Sequence, residues 1–169
     1  MLSVLSPAKT LDYETQPTTR KSTQPLFIEE AASLVDHAQK MDPEAIQQLM
    51  GVSANIAALN HERFMNWQPN FSLQNAKQAV LAFKGDVYTG LAAETLSAAE
   101  LAFAQKHLRI LSGLYGLLRP LDLMQPYRLE MGLPFENSGG KNLYEFWGSR
   151  IAEVLSKHLK ASGSPVLIN

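Results

Sequence analysis

The stretch Leu2-Ser3-Val4-Leu5-Ser6-Pro7-Ala8-Lys9-Thr10 opens as a short run of strand formers and stops in a polar loop. Proline has no N–H and a fixed φ, so the ladder ends at Ser6-Pro7. Lys9 then stands just past a strand's carboxyl end, where α/β sheets build their sites. Working outward, the same pattern returns. Ala79 to Phe83 is a continuous apolar run that meets Lys84-Gly85-Asp86, and it reads as a second buried strand. Leu108 to Leu111 is a third, ending at Ser112-Gly113, and Pro165 to Asn169 is a fourth.

Between these runs the apolar period becomes helical. Phe27, Ala31, Leu34, Val35 and Ala38 make Leu26 to Lys40 an amphipathic helix. Asp42-Pro43 is an N-cap followed by a first-turn proline, and the helix it opens runs to Met50. Gly51 breaks it, and Ser53 caps the next helix, through Ile56, Leu59 and Phe64 to Trp67. Ser72 starts another short helix. Ser97 with Glu100 is a capping box for a helix reaching His107. Asn142 with Glu145 caps one long helix whose apolar face is Tyr144, Trp147, Ile151, Val154 and Leu155. The polar segment Asp12 to Pro25 is a surface loop. The expected fold is mixed α/β: residues 1–169 form a single domain in which helices cover a small sheet. A helical insertion, Leu26 to Trp67, separates its first two strands.

Composition narrows the chemistry. The chain has 169 residues, 46% of them apolar and 18% charged, and a net charge of −1. These are values of a folded domain, and any binding to nucleic acid must come from a local patch rather than overall charge. With no cysteine there is no disulfide, no Cys-ligated zinc and no thiol redox sensor in this chain. Met1 to Leu11 lacks a basic region and an apolar core long enough for a signal peptide, and no segment approaches a membrane span. A cytoplasmic protein without a membrane partner is expected. The four histidines, at 37, 61, 107 and 158, show no paired ligand spacing, so neither a metal site nor a cofactor is expected.

Two sets of residues carry candidate chemistry. The first is the corner Gly51-Val52-Ser53-Ala54-Asn55, with Arg63 downstream. A tight helix–turn–helix hairpin turns backbone N–H groups and a helix N-terminus toward one point, which attracts phosphate without any side-chain charge. The alternative is an ordinary helix corner with a glycine C-cap. The second set follows the strand ends: Ser6, Lys9 and Thr10; Lys84, Asp86 and Tyr88; Arg119; then Tyr127, Arg128 and Glu130. Arginine grips phosphate or carboxylate bidentately, and tyrosine stacks or donates. If the strands lie side by side, Lys9, Lys84, Arg119 and Arg128 line one basic cleft. The alternative is a structural loop in which the arginines pair with Asp122 and Glu130. Ser6-x-x-Lys9 has the spacing of an acylating Ser–Lys pair, but no Ser-Asp-Asn or Lys-Thr-Gly partner accompanies it.

Ser6-Pro7-Ala8-Lys9-Thr10-Leu11, Phe83-Lys84-Gly85-Asp86-Val87-Tyr88, Leu111-Ser112-Gly113-Leu114-Tyr115-Gly116, Leu118-Arg119-Pro120-Leu121-Asp122 and Pro126-Tyr127-Arg128-Leu129-Glu130-Met131-Gly132 resemble, in this order, the hallmark segments of the YaaA family. The resemblance covers essentially the whole chain. It implies the YaaA-like fold, a role in surviving hydrogen peroxide and in limiting free intracellular iron, and binding to duplex or branched DNA with little sequence preference. It places a helix-hairpin-helix at residues 42–67, with its hairpin at Gly51 to Asn55, and a basic cleft at Lys9, Lys84, Arg119 and Arg128. Ser53 departs from the pattern, standing where the second hairpin glycine is usual. The resemblance also implies residues beyond Asn169, so that a C-terminal part is missing here. An enzyme acting on a small phosphate- or nucleotide-like ligand held by Ser6, Lys9, Lys84, Asp86, Arg119 and Arg128 is the competing expectation; a purely binding role is favoured.

Overall fold

A computed structural model describes residues 1–169. Its elements, in chain order, are β1 (Leu2–Leu5), β2 (Thr10–Leu11), α1 (Ile28–Ala38), α2 (Pro43–Met50), α3 (Ala54–Asn66), β3 (Lys77–Gln78), α4 (Ala79–Ala82), β4 (Phe83–Lys84), α5 (Asp86–Leu91), α6 (Ala98–His107), β5 (Leu108–Ser112), β6 (Gly116–Leu118), β7 (Leu123–Met124), α7 (Leu143–Trp147), α8 (Arg150–Ala161) and β8 (Leu167–Ile168). The main sheet has the order β6-β5-β1-β8. β1 runs parallel to β5, with Ser3 beside Leu108 and Leu5 beside Ile110, and parallel to β8. β6 folds back antiparallel on β5. Two small ribbons, β2–β4 and β3–β7, complete the strands. The chain is thus mixed α/β with a small sheet and eight α-helices. None of them is long and apolar enough to cross a membrane.

The residues that face inward explain the packing. Ala31, Leu34, Val35 and Ala38 of α1, Ile46 of α2, and Ala57 and Phe64 of α3 are all buried in one apolar core with Ile110, Leu114, Tyr115, Leu117 and Leu118. Burying each large side chain stabilises the fold by about 1.5–3 kcal/mol. The caps expected from the sequence are in place. Asp42 accepts from Ala45 N–H at 2.8 Å, Ser53 accepts from Ile56 N–H at 3.4 Å, and Ser97 and Glu100 form the reciprocal box.

Three expectations need correction. Ala79 to Phe83 is not a strand: Ala79–Ala82 is one helical turn between the short strands β3 and β4. A short apolar run marks burial but not period. Here the N–H groups of Ala79 and Val80 donate to the carbonyls of Asp122 and Pro120, anchoring the turn across the core. Ser72 starts a turn rather than a helix; its N–H and the amide of Asn75 close the loop locally. The long helix after Asn142 is two helices. At Gly148 the backbone takes φ 49°, ψ −126°, which ends α7 after five residues, and α8 restarts at Arg150. The fourth strand is real but is only two residues long.

Candidate functional site

The helix corner comes first. Gly51 is left-handed, at φ 60° and ψ 43°, a conformation that costs any residue with a Cβ. Its N–H and that of Val52 both donate to Gln47 O, closing α2. Val52 packs against the core, and Ser53 enters α3 from extended backbone. Gly51, Ser53, Ala54 and Asn55 are exposed. The first N–H groups of a helix have no intrahelical acceptor, and only Ile56 N–H is taken by the Ser53 hydroxyl. The N–H groups of Ala54 and Asn55 therefore face solvent at the N-terminus of a 13-residue helix. A Cβ built on Gly51 would meet nothing within 4 Å, so the approach to the corner is open.

Arg63 does not join this corner. Ten residues along a helix is about 15 Å. Its guanidinium is half-buried, donates to Asn60 Oδ1 at 3.3 Å, and is pushed below its usual pKa first by that burial. It lines a separate hollow with Glu62, Gln68 and Gln125.

The strand-end residues divide into three groups. At the carboxyl end of β1, Lys9 Nζ lies 3.2 Å from Glu130 Oε1 and Arg128 Nη2 lies 3.5 Å from the same oxygen. Lys9 and Arg128 share a cavity of about 270 Å³ with Tyr127 and Glu130. Tyr127 is locked from behind by a 2.6 Å hydrogen bond with Ser112 Oγ, and burial pushes its phenol far above the ordinary range. Arg128 Nε is buried without a partner. Ser6 contributes its carbonyl, which accepts from Tyr88 OH at 2.8 Å.

Lys84 stands beside this group. It pairs with Thr10 across the β2–β4 ribbon and opens onto a cavity of about 330 Å³ with Tyr88, Lys77 and Asp12. Asp86 sits in the first turn of α5 and is exposed.

Arg119 is elsewhere. It follows Leu118, whose partner in the ladder is Ile110. That places it toward the amino-terminal end of β5, while Lys9 lies beyond the carboxyl-terminal end of the neighbouring β1. Its Nε and Nη2 grip the fully buried Asp122 at 3.0 and 2.8 Å. The fold brings Lys9, Tyr127, Arg128 and Glu130 to one cavity and Lys84 and Tyr88 to another, linked to it through Ser6 and Thr10, and leaves Asp86 and Arg119 out of both. Both arginines also have the carboxylate partners that the structural-loop alternative assigns them.

The structure adds an ion pair that the sequence does not signal, between buried Lys77 and partly exposed Asp12. Lys77 Nζ donates to the carbonyls of Asp12 and Thr15 at 2.7 and 2.8 Å and lies 3.8 Å from Asp12 Oδ1. Burial lowers the Lys77 pKa. The Thr15 backbone N–H and hydroxyl, with help from Lys77, hold the Asp12 carboxyl down at about 2. Lys77 is buried and two of its protons are held by backbone carbonyls, which makes this lysine a tether for the loop after β2. In the sequence it stands only as a lone lysine beginning the run Lys77-Gln78-Ala79-Val80-Leu81-Ala82-Phe83.

The model of the family described as peroxide stress protein YaaA matches residues 1–169. A UPF0246 protein of Cellvibrio japonicus (strain Ueda107) is 58% identical over all 169 residues, and the chain spans 66% of that relative's length.

Proposed function

The chain belongs to the peroxide stress protein YaaA family, and we propose that it acts in the cytoplasm by binding duplex or branched DNA through backbone phosphates, with little sequence preference. The observation that carries this reading is the α2–α3 corner: a left-handed glycine followed by an open helix N-terminus with N–H groups free to donate. Such a corner is a helix-hairpin-helix in function, with residues 42–67 as its unit, and it needs no net positive charge. That suits a chain whose formal charge is −1. The cations Lys9, Lys84 and Arg128 form the supporting basic face. Glu130 occupies two of them until a phosphate displaces it. Covering DNA under peroxide stress, and with it the family's tie to limiting free iron, is the role this binding serves.

The test is duplex binding measured on two unrelated sequences across a salt series. Phosphate contacts release counterions, so log K falls linearly with log salt. The expected result is equal affinity for both sequences and a steep salt slope. A strong preference for one sequence, or a flat salt response, contradicts the reading.

A further inference from the structure

The end of the sheet opposite Lys9 holds a second concentration of positive charge. α6 ends at His107 and β5 begins at Leu108, so Arg109 enters the sheet beneath the last turn of α6. His158, near the end of α8, lies against it. Arg109, Arg119, His107, His158 and Lys106 line one open cavity of about 470 Å³, and no carboxylate lines it. That volume lies within the about 300–1,000 Å³ of small-molecule sites.

Arg109 is 6% exposed and has no carboxylate within ion-pair distance. Its Nη1 donates to Gln105 O and Leu108 O at 3.0 and 2.6 Å, which satisfies the carbonyls at the end of α6. Its Nε donates to His158 Nδ1 at 2.9 Å. Capping thus accounts for Nη1 and the histidine for Nε, and Nη2 has no protein acceptor. Arg119 likewise spends Nε and Nη2 on Asp122 and Gln24 O and keeps Nη1 free.

His158 completes the donor set. His158 Nδ1 accepts from Arg109, so its ring proton sits on Nε2. Burial, and then Arg109 and Arg119, push its pKa down, which keeps it a neutral donor at that nitrogen. His107 Nδ1 donates to Met1 O at 3.0 Å, so its proton is already spent and its Nε2 is an acceptor that adds no donor to the cavity. The one carboxylate nearby, Asp122, is fully buried and already bound by Arg119 and Thr23. The guanidiniums press on one another, and burial followed by Arg119 lowers the Arg109 pKa. An anion with several acceptor oxygens relieves that repulsion and takes up the free donors together.

The geometry points to this cavity as a binding site for a phosphate group, held by Arg109 Nη2, Arg119 Nη1 and His158 Nε2, with Lys106 and His107 at the rim. It is distinct from the α2–α3 corner and from the Lys9 face, and it does not depend on the DNA reading. The same chemistry arises from a free phosphate or phosphate monoester and from a DNA backbone phosphate. A free monoester is the ligand that a cavity, rather than a flat face, selects.

The isotope-labelled chain, titrated with inorganic phosphate, ribose 5-phosphate or a short duplex at ionic strength fixed with chloride, decides the matter by magnetic resonance. The expected result is saturable shifts at Arg109 Nε–H and at the His107 and His158 rings with phosphate and ribose 5-phosphate, and none with chloride. Saturable shifts at the same resonances with the duplex, and none with ribose 5-phosphate, assign the site to DNA. Arg109→Lys keeps the charge but removes the fork, and should weaken phosphate binding at least about tenfold. Lys106→Ala, at an exposed position, should weaken it several-fold and checks the site should the first variant fail to fold. No saturable shift from any of the three, or equal shifts from chloride, overturns the proposal.

Discussion

Asp122 and Glu130 are both carboxylates that hold an arginine, and they sit at opposite ends of the main sheet. Asp122 is sealed. It accepts from Thr23 Oγ1 at 2.6 Å, from Arg119 N–H at 2.7 Å, and from the Arg119 side chain. Glu130 is 42% exposed in its side chain and touches its two cations only at the ends, 3.2 and 3.5 Å away. Sequence alone gives both the same reading, an arginine a few residues before an acid. Burial separates them. A sealed pair cannot be traded for an outside anion without leaving an uncompensated charge inside. An exposed pair contributes little and can open to a ligand. On the proposed reading the end that holds Glu130 offers its cations to DNA phosphate, whereas the Asp122–Arg119 pair is a structural joint that leaves only Arg119 Nη1 open.

Replacing the two acids sharpens that contrast. Asp122→Ala strands Arg119 and Thr23 without their acceptor and should destabilise the fold by about 3–5 kcal/mol, read by denaturant unfolding. A loss near zero would show that the joint is not structural. Gly113 supports the other end by close approach. A Cβ there would lie 2.1 Å from Leu129 O, so Gly113→Ala must push away the segment that bears Arg128 and Glu130. It should cost about 1–3 kcal/mol and weaken duplex binding, measured by melting and titration on the same sample. Unchanged melting would mean the segment yields freely.

Acid sensitivity gives a smaller effect. The Asp12 carboxyl lies at about 2 in the folded chain against an ordinary 3.8. A lowered folded-state pKa stabilises above the unfolded value, so its contribution is complete above about pH 4 and is lost as pH falls through about 2. Asp12→Asn should flatten the stability profile in that window and leave its shape near neutrality unchanged. A profile of unchanged steepness contradicts the assigned role of the Asp12–Lys77 tether. Smallest of all, Glu130→Gln should change stability by less than about 1 kcal/mol while tightening duplex binding several-fold, because it releases Lys9 and Arg128. Weaker binding would mean that Glu130 positions those cations rather than occupying them.

Much of this was legible in the chain. Asp42, Ser53, Ser97 and Asn142 each cap the helix their spacing predicts, because capping is local chemistry within one turn. β1 and β5 were legible as apolar runs ended by breakers. What was not legible required long-range pairing. The run Ala79 to Phe83 has the composition of a strand, but Asp122 and Pro120 offer it carbonyls that fix a helical turn. The sequence groups Arg119 with Lys9 because both follow apolar strand-like runs. The antiparallel return of β6, which reverses its end of the sheet, has no signature in a stretch as short as Gly116–Leu118. Arg109 was the overlooked signal: a charge inside the apolar strand Leu108-Arg109-Ile110-Leu111.

The central claim is that the α2–α3 corner binds phosphate through its backbone, and Gly51→Val tests it most directly. Valine at φ 60° costs about 1–2 kcal/mol in the left-handed region and adds a branched side chain at the corner, in space that is now open for 4 Å around its Cβ. Duplex affinity and melting temperature should be measured together on the folded variant. The account predicts at least about a tenfold loss of affinity with a melting temperature lowered by a few degrees. Undiminished affinity in the folded variant would show that the corner is an ordinary helix junction and that DNA binds elsewhere or not at all.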